Sequence, residues 1–245
     1  MRSATRVDLK VERASRQSDV VAGYRILGSY GWGDDGAGHI SARDPEHLDA
    51  FWLLRYGVAF RKATVADLVL VERDGRINEE LSAAGHTINP AAFCIHAPIH
   101  DARPDVISVV HTHTGYGTPF AALARTIRAT SQEACAFHSD QAVFTGDELD
   151  VVDTTVGGRI AAALGAHRLL VLANHGLLTV GATVAQAVGF FIVAERAAEV
   201  EVKAGAAARV ISDEAASIVY QSVGTPGAGE EVFGWLRRSR LDTEA

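Results

Sequence analysis

Two apolar runs along the chain, rich in valine and leucine, each end in histidine. Val106–Val110 leads directly into His111 and His113, and Leu169–Ala173 lies just before His175. Runs of this length and composition predict buried strands. Because side chains alternate along a strand, His111 and His113 should project from the same face. Three histidines at two strand ends match the arrangement of three protein ligands and one open position that is typical of a catalytic metal site.

The remaining patterns predict one α/β domain. Residues 1–17 are charged and aperiodic and predict an N-terminal tail, 18–222 form the domain, and 223–245 predict a flexible linker with a short amphipathic C-terminal helix. Ser18 is the predicted N-cap of the first helix. The predicted helices cover 19–29, a segment opened by Asn89 and Pro90, 116–127, 157–164, 184–206 and 230–241, and further strands cover 50–60 and 68–72.

Composition and charge narrow the classes of function. The 245 residues are 48% hydrophobic and 22% charged, which is typical of a globular protein, and the net charge is −7. A negative chain argues against binding to nucleic acid or to an anionic membrane surface. No apolar run reaches the roughly 18 residues of a membrane span. Cys94 and Cys135 lie in apolar surroundings, which favours reduced thiols. We therefore expect a cytoplasmic protein that acts on a small molecule.

A glycine-rich loop and a second pair of histidines precede the central strand. The segment 31–38 holds four glycines, which indicates a sharply turning loop, but its spacing matches neither a P-loop nor a dinucleotide-binding fingerprint. His96 and His100 are one helical turn apart and share a helix face. That spacing permits a metal pair. We favour the alternative that these histidines satisfy buried hydrogen bonds, because the chain already has a better set of ligands.

Four motifs, taken in order, resemble the class II aldolase/adducin family, whose usual forms are Gly-Asn-Ile/Val-Ser-x-Arg, Pro-Asp, His-x-His and His-Gly. Here they are Gly38-His39-Ile40-Ser41-Ala42-Arg43, Arg103-Pro104-Asp105-Val106, Val110-His111-Thr112-His113 and Asn174-His175-Gly176-Leu177. The resemblance covers about residues 18 to 206. It implies a three-layer α/β/α sandwich around a mainly antiparallel sheet, and a homotetramer with active sites near subunit interfaces. It also implies one divalent metal ion per subunit, held by His111, His113 and His175.

The chain departs from this pattern at the catalytic acid of the family's sugar-phosphate aldolases and epimerases. That acid lies four positions before the helix histidine, where this chain has Ala92. The hydroxyl residues that bind substrate phosphate precede the acid, and here those positions are Pro90 and Ala91. The departures predict that proton transfer uses another group and that the substrate carries no phosphate.

Two further departures affect substrate binding. The family's Ser/Thr-Gly phosphate turn is Tyr56-Gly57 here, and the asparagine of the first motif is His39. We predict that His39, Ser41, Tyr56 and Gly57 contact the substrate. The positions that would bind phosphate have therefore changed, whereas the predicted metal ligands are intact.

Neutral imidazoles leave the charge of a bound ion uncompensated, so such an ion stabilises the enediolate that remains when a carbon–carbon bond next to a carbonyl breaks. Zn is the first choice of metal, with Fe, Mn and Co as alternatives. Glu133 and His138, ionisable groups in an apolar stretch, are the predicted catalytic acid/base residues, with His39 as a further candidate.

Three classes of function stay open from the sequence. The first is a metal-dependent carbon–carbon lyase, of aldolase or decarboxylase type, that acts on an unphosphorylated oxo or hydroxy acid or aldehyde. The second is a non-haem Fe(II) oxygenase that decarboxylates an aromatic oxo acid oxidatively, as a branch of the family does. The third is a non-catalytic binding module of the adducin type, against which the intact set of three histidines argues.

Overall fold

The computed structural model describes residues 8–241, which form one sheet with helices on both faces. The strands are β1 (Gly38–Arg43), β2 (Phe51–Leu54), β3 (Leu68–Val71), β4 (Ser108–Thr112), β5 (Gln141–Phe144), β6 (Leu169–Leu172) and β7 (Gly176–Gly181). The helices are α1 (Leu9–Gly28), α2 (Pro90–Ala102), α3 (Gly117–Ala121), α4 (Thr154–Leu164), α5 (Val184–Ala204), α6 (Asp213–Val223) and α7 (Pro226–Arg240).

The seven strands lie in the order β3-β2-β1-β4-β7-β6-β5. Neighbours pair antiparallel apart from β5 and β6, which are parallel. The predicted mainly antiparallel sheet is therefore confirmed. Because β4 and β6 both run antiparallel to the strand between them, they point in the same direction. Their C-terminal ends consequently lie at the same edge of the sheet.

The sheet separates two layers of helices, as the predicted α/β/α sandwich requires. Side chains alternate along β6, so Leu169 and Val171 face the layer of α1, α3, α5 and α7, whereas Leu170 and Leu172 face α2 and α4. Both faces are apolar because both are covered. No helix within residues 8–241 is long and apolar enough to cross a membrane.

The helix α2 begins as the sequence predicts, with Asn89 as N-cap and Pro90 in the first turn. Pro98 lies inside this helix, which nevertheless continues to Ala102. Proline removes the hydrogen bond to the carbonyl four residues earlier, which belongs to Cys94. A Cβ atom on Gly157 of α4 would lie 1.8 Å from this carbonyl oxygen. The two helices are therefore in backbone contact at this point.

The first helix starts before the predicted N-cap Ser18. Asp8 is the N-cap instead, and the helix continues from it without a break. The charged residues before Ser18 do not form a tail, because tertiary contacts hold them: Arg13 makes two hydrogen bonds to Asp44 at 2.6 and 2.8 Å. The prediction of a tail is wrong for this part of the chain. Residues 1–7, the rest of the predicted tail, lie outside the described residues.

Two predicted elements are shorter in the structure. The strand expected over 50–60 is limited to β2, because Gly57 takes a φ of +85° and a 3-10 turn begins at Phe60. The helix expected over 116–127 is limited to α3, and Ala124 beyond it takes a φ of +48°, which is incompatible with a continuing helix. In both places apolar side chains continue into the core while the backbone turns.

The predicted flexible break at 224–229 is the start of α7, and α6 before it was not predicted. Pro226 occupies the first turn of α7, where its fixed φ suits a helix. The glycines here allow close packing, since a Cβ atom on Gly189 of α5 would lie 1.9 Å from the carbonyl oxygen of Gly229. Glycine that serves helix contact looks the same in a sequence as glycine that serves a loop.

The edge strand β3 has its outer side closed by the chain that follows it. The Asn78 N–H donates to the Leu70 carbonyl at 2.9 Å, and the Leu70 N–H donates to the Ser82 hydroxyl oxygen at 2.9 Å. Val71 also forms a single antiparallel bridge with Ile77. Both outward-facing backbone groups of Leu70 are thus occupied within the chain.

Candidate metal centre

Strands β4 and β6 bring three histidines to one edge of the sheet. His111 is the next-to-last residue of β4, and His113 directly follows the end of the strand. His175 follows β6 in the tight connection to β7, where Asn174 takes a φ of +58°. Asparagine tolerates this left-handed conformation better than most residues. The parallel direction of β4 and β6 therefore assembles the set that the sequence predicted.

The three side chains, called the histidine cluster below, converge on one point. Each offers a ring nitrogen, and these atoms all lie within 4.8 Å of one another. The ring centroids are 4.8 Å apart for His111 and His175, 4.9 Å for His113 and His175, and 5.4 Å for His111 and His113. His111 is buried, His175 is half-buried and His113 is exposed, so the cluster opens to solvent on the side of His113.

Hydrogen bonding orients His111, and burial lowers the pKa of His111 and of His175. His111 Nδ1 lies 2.8 Å from the Leu177 carbonyl oxygen and donates to it, which leaves the lone pair of Nε2 for an ion. Burial, followed by the charges of neighbouring histidines, holds the pKa of His111 well below its ordinary value. Burial and His113 lower the pKa of His175 to about 4. These donors fit a divalent Zn, Fe, Mn or Co ion.

A glycine and a buried carboxylate hold the cluster from behind. A Cβ atom on Gly176 would lie 3.3 Å from His111 Cε1, so a side chain at this position would crowd the His111 ring. After His113 the chain turns over Glu195 of α5. This carboxylate accepts hydrogen bonds from the Thr114 hydroxyl at 2.6 Å and from the Gly117 N–H at 2.7 Å. These hydrogen bonds to Glu195 fix the backbone that directly follows His113.

Glu195 was not singled out from the sequence, although a signal was present. It belongs to the predicted helix over 184–206, on the face that also carries Phe191, Ala194 and Ala198. An acidic residue on an otherwise apolar helix face must be paired when the face is buried. Burial raises the pKa of Glu195 and its hydrogen bonds lower it, with burial the larger influence.

Behind the histidine cluster lies a line of four hydrogen-bonded side chains, His39 and Ser41 of β1 and His96 and His100 of α2, called the buried row below. His39 Nδ1 is 2.7 Å from His96 Nε2. Ser41 Oγ is 2.7 Å from His96 Nδ1 and 2.8 Å from His100 Nε2. None of the four is more than 4% exposed. His96 and His100 thus make the buried hydrogen bonds that the sequence interpretation favoured.

Burial controls the charge of the buried row. It lowers the pKa of His39 and of His96 well below the ordinary value, with neighbouring histidines as the next cause. It lowers the pKa of His100 to about 3, with the nearby Arg43 guanidinium as the next cause. All three imidazoles are therefore neutral at pH 7. Neutral imidazole carries one hydrogen and one lone pair, which suits a chain of hydrogen bonds.

A small cavity of about 30 Å³ lies against the start of the buried row. Three of the predicted substrate-contacting residues, His39, Tyr56 and Gly57, line it together with Ala92. The position where the related aldolases have their acid is therefore part of the same cavity as His39. Ser41, the fourth predicted residue, is not among the lining residues, because its hydroxyl is bonded to two histidines.

The structure does not bring Glu133 and His138 to the histidine cluster. They flank the 3-10 turn Ala134–Phe137 just before β5, and Glu133 is exposed. The start of β5 pairs with the start of β6, whereas His175 follows the end of β6. The length of β6, about 13 Å for four residues, separates the two positions. Their catalytic role stays a prediction without support from the geometry of a single chain.

Ionisable groups among apolar residues over 129–144 are compatible both with a cavity wall and with an exposed strand edge. Cys135 and Phe137 are fully buried, and the 3-10 turn that carries them packs against α5 and α6. The four residues of the turn are buried, whereas the polar residues that flank it are exposed or partly exposed. The same pattern would result from either arrangement.

Comparison with known proteins agrees with the geometry. Residues 18–202 match the family described as class II aldolase and adducin N-terminal domain. A 4-hydroxy-3-prenylphenylpyruvate oxygenase/4-hydroxy-3-prenylbenzoate synthase from Streptomyces roseochromogenus subsp. oscitans is 39% identical over 214 residues, which is 86% of this chain and 74% of that protein. Decarboxylase NovR from Streptomyces niveus is 38% identical, over 86% of this chain and 76% of that protein.

Solved structures share the fold. The structure of L-fuculose 1-phosphate aldolase from Glaciozyma antarctica PI12 superposes with a TM-score of 0.88 at 34% identity. The match covers 98% of this chain and 94% of that one. With the family motifs, the α/β/α sandwich and the histidine cluster in agreement, this chain belongs to the class II aldolase/adducin family.

Proposed function

We propose that this protein is a divalent-metal-dependent enzyme that breaks a carbon–carbon bond next to a carbonyl group in an unphosphorylated oxo or hydroxy acid or aldehyde. The observation that carries the proposal is the histidine cluster, in which three imidazole side chains converge where β4 and β6 end. One metal ion per subunit, Zn or else Fe, Mn or Co, would be held by His111, His113 and His175. When bound, it would supply a Lewis acid for the electron pair released by cleavage.

The character of the cavity supports an unphosphorylated substrate. Its lining is mostly apolar or aromatic, and the guanidinium that reaches it, Arg55, is paired with Asp67 at 2.9 Å. A phosphate group needs free cations or several N–H and hydroxyl donors. Ala92 and Tyr56 occupy positions where sugar-phosphate enzymes have an acid and a hydroxyl residue. An unphosphorylated oxo acid suits this lining better than a sugar phosphate does.

A second candidate is a non-haem Fe(II) oxygenase that decarboxylates an aromatic oxo acid oxidatively. The specific observation in its favour is the 39% identity to a protein named as an oxygenase of a prenylated hydroxyphenylpyruvate. Imidazole ligands with open positions suit Fe(II). Both candidates break the bond next to a carbonyl, and they differ in the use of oxygen.

The experiment that separates the candidates starts with metal analysis of protein purified without air. Oxygen uptake is then followed with a panel of aromatic and aliphatic oxo acids, with His113→Ala protein as the control. We expect stoichiometric metal and loss of a carboxyl or aldehyde fragment without oxygen uptake. Iron with substrate-dependent oxygen consumption would favour the oxygenase. Protein without metal and without turnover would contradict both and favour an adducin-type binding module.

The proposal includes a homotetramer with active sites near subunit interfaces, as in the related aldolases. It also retains Glu133 and His138 as candidate proton-transfer groups. Within a single chain, however, they lie where β5 and β6 begin, whereas His175 lies where β6 ends. Sedimentation of the purified protein at several concentrations would test the tetramer. A monomer at all concentrations would exclude any role for these two residues that depends on a neighbouring subunit.

A further inference from the structure

The buried row leads from the cavity into the layer of α2. Among the described residues that line the cavity, His39 is the only one with an imidazole or carboxyl group. Its ring centroid lies 5.3 Å from that of His111, so His39 stands between the cavity and the histidine cluster. His39 Nδ1 is bonded to His96, which leaves Nε2 for the site. A proton-transfer group is needed here, because Ala92 takes the position of the acid.

The hydrogen bonds of the buried row constrain one another. If His39 Nδ1 donates to His96 Nε2, His96 must carry its own hydrogen on Nδ1 and donate it to Ser41. The Ser41 hydroxyl then donates to His100 Nε2, and His100 carries its hydrogen on Nδ1. Every contact has one donor and one acceptor, and each imidazole is neutral.

The reversed arrangement contains the same number of hydrogens. Each donor becomes an acceptor, so the free hydrogen is on His39 Nε2 and no longer on His100 Nδ1. His100 Nδ1 is buried and has no hydrogen-bond partner among the described residues, which makes it the open end of the row. The two arrangements differ only in which end of the row carries a hydrogen.

We propose that His39 replaces the missing acid as the acid/base group of the site, and that His96, Ser41 and His100 form a proton-transfer path behind it. This inference rests on the proposed function, because it assigns the proton step of that reaction. In the decarboxylase case, the bond to the carboxyl group breaks, carbon dioxide leaves, and the electron pair stays on the substrate carbon next to the carbonyl. The proton on His39 Nε2 then forms the new carbon–hydrogen bond.

The remaining protons move one place along the row in the same step. The hydrogen on His96 Nε2 passes to His39 Nδ1, and the Ser41 hydroxyl hydrogen passes to His96 Nδ1. The hydrogen on His100 Nε2 passes to Ser41. His100 Nδ1 then takes up a solvent proton through local opening of the α2 layer, since the atom is buried in the closed structure. One solvent proton is consumed for each proton given to the substrate. The reverse shift, with a solvent proton taken up at His39 and one released at His100, restores the row.

The surroundings of His100 favour such a shift over storage of a charge. The His100 ring stacks on Phe51 with a centroid distance of 5.0 Å, and Arg43 Nη2 donates to the His100 carbonyl at 2.5 Å. An imidazolium at this place would be buried against an aromatic ring and beside a guanidinium. A concerted shift leaves every imidazole neutral when the step is complete.

The test of the path needs no substrate. Metal-free and Zn-loaded protein is labelled with ¹⁵N-histidine, and the ring ¹⁵N signals report which nitrogen carries the hydrogen. Ser41→Ala removes the middle of the row without touching His39. The His96 Nδ1 hydrogen then has no acceptor, so we expect His96 to hold its hydrogen on Nε2 and His39 to move toward the form with a hydrogen on Nε2. Unchanged His39 signals would overturn the proposal, because a purely structural Ser41 affects only the histidines it contacts.

Two further variants make this result specific. His100→Phe keeps a ring against Phe51 and removes the open end, and it should shift His39 in the same direction as Ser41→Ala. It also carries the test if Ser41→Ala fails to fold. Ser108→Ala on β4 is the matched control, since Ser108 is fully buried and its hydroxyl has no partner among residues 8–241. A shift of His39 in this control equal to that in Ser41→Ala would contradict transmission along the row.

Turnover separates failure of the path from failure of the proposed function. With a 3-oxo acid or a 4-hydroxy-2-oxo acid that the wild type converts, His39→Asn should lower kcat about 10²- to 10⁴-fold and leave Zn affinity unchanged. Ser41→Ala should lower kcat less and alter its pH profile. Full turnover by His39→Asn would overturn the role of His39 and leave the lyase intact. Coupled ¹⁵N signals in a wild type that converts no oxo acid would retain the path and contradict the proposed reaction.

Discussion

The histidine cluster and the buried row use the same side chain in opposite ways. In the cluster the rings meet edge to face, with centroids 4.8 to 5.4 Å apart, and their ligand atoms converge. In the row, four of the six ring nitrogens are paired with one another or with Ser41 at 2.7 to 2.8 Å. Convergent lone pairs are free for an ion, whereas paired ones are not. The spacing of histidines in the sequence therefore matters less for metal binding than the atoms that each ring nitrogen faces.

The largest expected difference between the two groups concerns metal affinity. His113→Ala removes a ligand and should lower Zn affinity by more than the roughly 100-fold that follows the loss of an outer partner. His100→Phe should leave the affinity unchanged, because His100 faces Ser41. Titration of metal-stripped protein against a competing chelator measures both, with His47→Ala, an exposed histidine, as control. Equal losses of Zn affinity in His113→Ala and His100→Phe would contradict the distinction between metal ligands and the buried row.

The second difference concerns stability against pH. Burial and Arg43 lower the pKa of His100 to about 3 from its ordinary value of 6.5, so between these values the unfolded chain binds a proton that the folded chain does not. The free energy of unfolding should therefore fall as the pH drops below 6.5, with His100 contributing up to about 1.4 kcal/mol per pH unit.

Urea unfolding of metal-free protein at several pH values between 6.5 and 4.5 measures this slope. His100→Phe should flatten it, whereas His47→Phe should not. The comparison concerns the slope and is independent of any constant loss of stability in the variant. Parallel slopes for His100→Phe and the wild type would show that His100 does not remain neutral in the fold.

A smaller effect is expected where the histidine cluster is held from behind. Glu195→Gln weakens a buried acceptor of the Thr114 hydroxyl and the Gly117 N–H, and Zn affinity should fall about tenfold, at the low end of the range for outer partners. Glu199→Gln, one turn further along α5 and paired with Lys203, is the matched control. Isothermal titration with Zn measures both variants. An undiminished affinity in Glu195→Gln would mean that His113 needs no support from α5.

The smallest effect is expected for Glu133, which lies just before β5 at the other end of the strands from the histidine cluster. Glu133→Gln should leave Zn affinity and turnover unchanged, because β6 separates Glu133 from His175 within the chain. The measurement is kcat with an oxo acid that the wild type converts, with His39→Asn as the positive control. A tenfold or greater loss in Glu133→Gln would restore its predicted catalytic role and indicate that a neighbouring subunit brings it to the site.

The sequence predicted those parts of the fold in which local pattern and tertiary structure agree. The strands before His111 and His175 were found because each is buried on both faces and has uniform apolar composition. Helix α2 was found because Asn89 and Pro90 mark its start. The start of α1 was missed, because its first turns are held by ion pairs such as Arg13 to Asp44 and carry no apolar period.

The histidine cluster could be predicted from the sequence because two apolar strands end close to its histidines. The family motifs contain the same three residues. The buried row did not, because it depends on the position of α2 over β1, a long-range contact that no local pattern encodes. His96 and His100 were correctly expected to be in buried hydrogen bonds, but their partner Ser41 could be identified only from the fold. The catalytic role of Glu133 stays a prediction, because an acidic residue in an apolar stretch can belong to a pocket or to the surface and the sequence pattern is the same in both cases.

The closed edge at β3 has a consequence for assembly and aggregation. Both outward backbone groups of Leu70 are bonded to Asn78 and Ser82. A second copy could extend the sheet here only by displacing those bonds, so this edge resists the strand-to-strand stacking that nucleates fibrils. A tetramer of this protein must accordingly join its subunits through helices, loops or the other side of the sheet, and not through strand addition at β3.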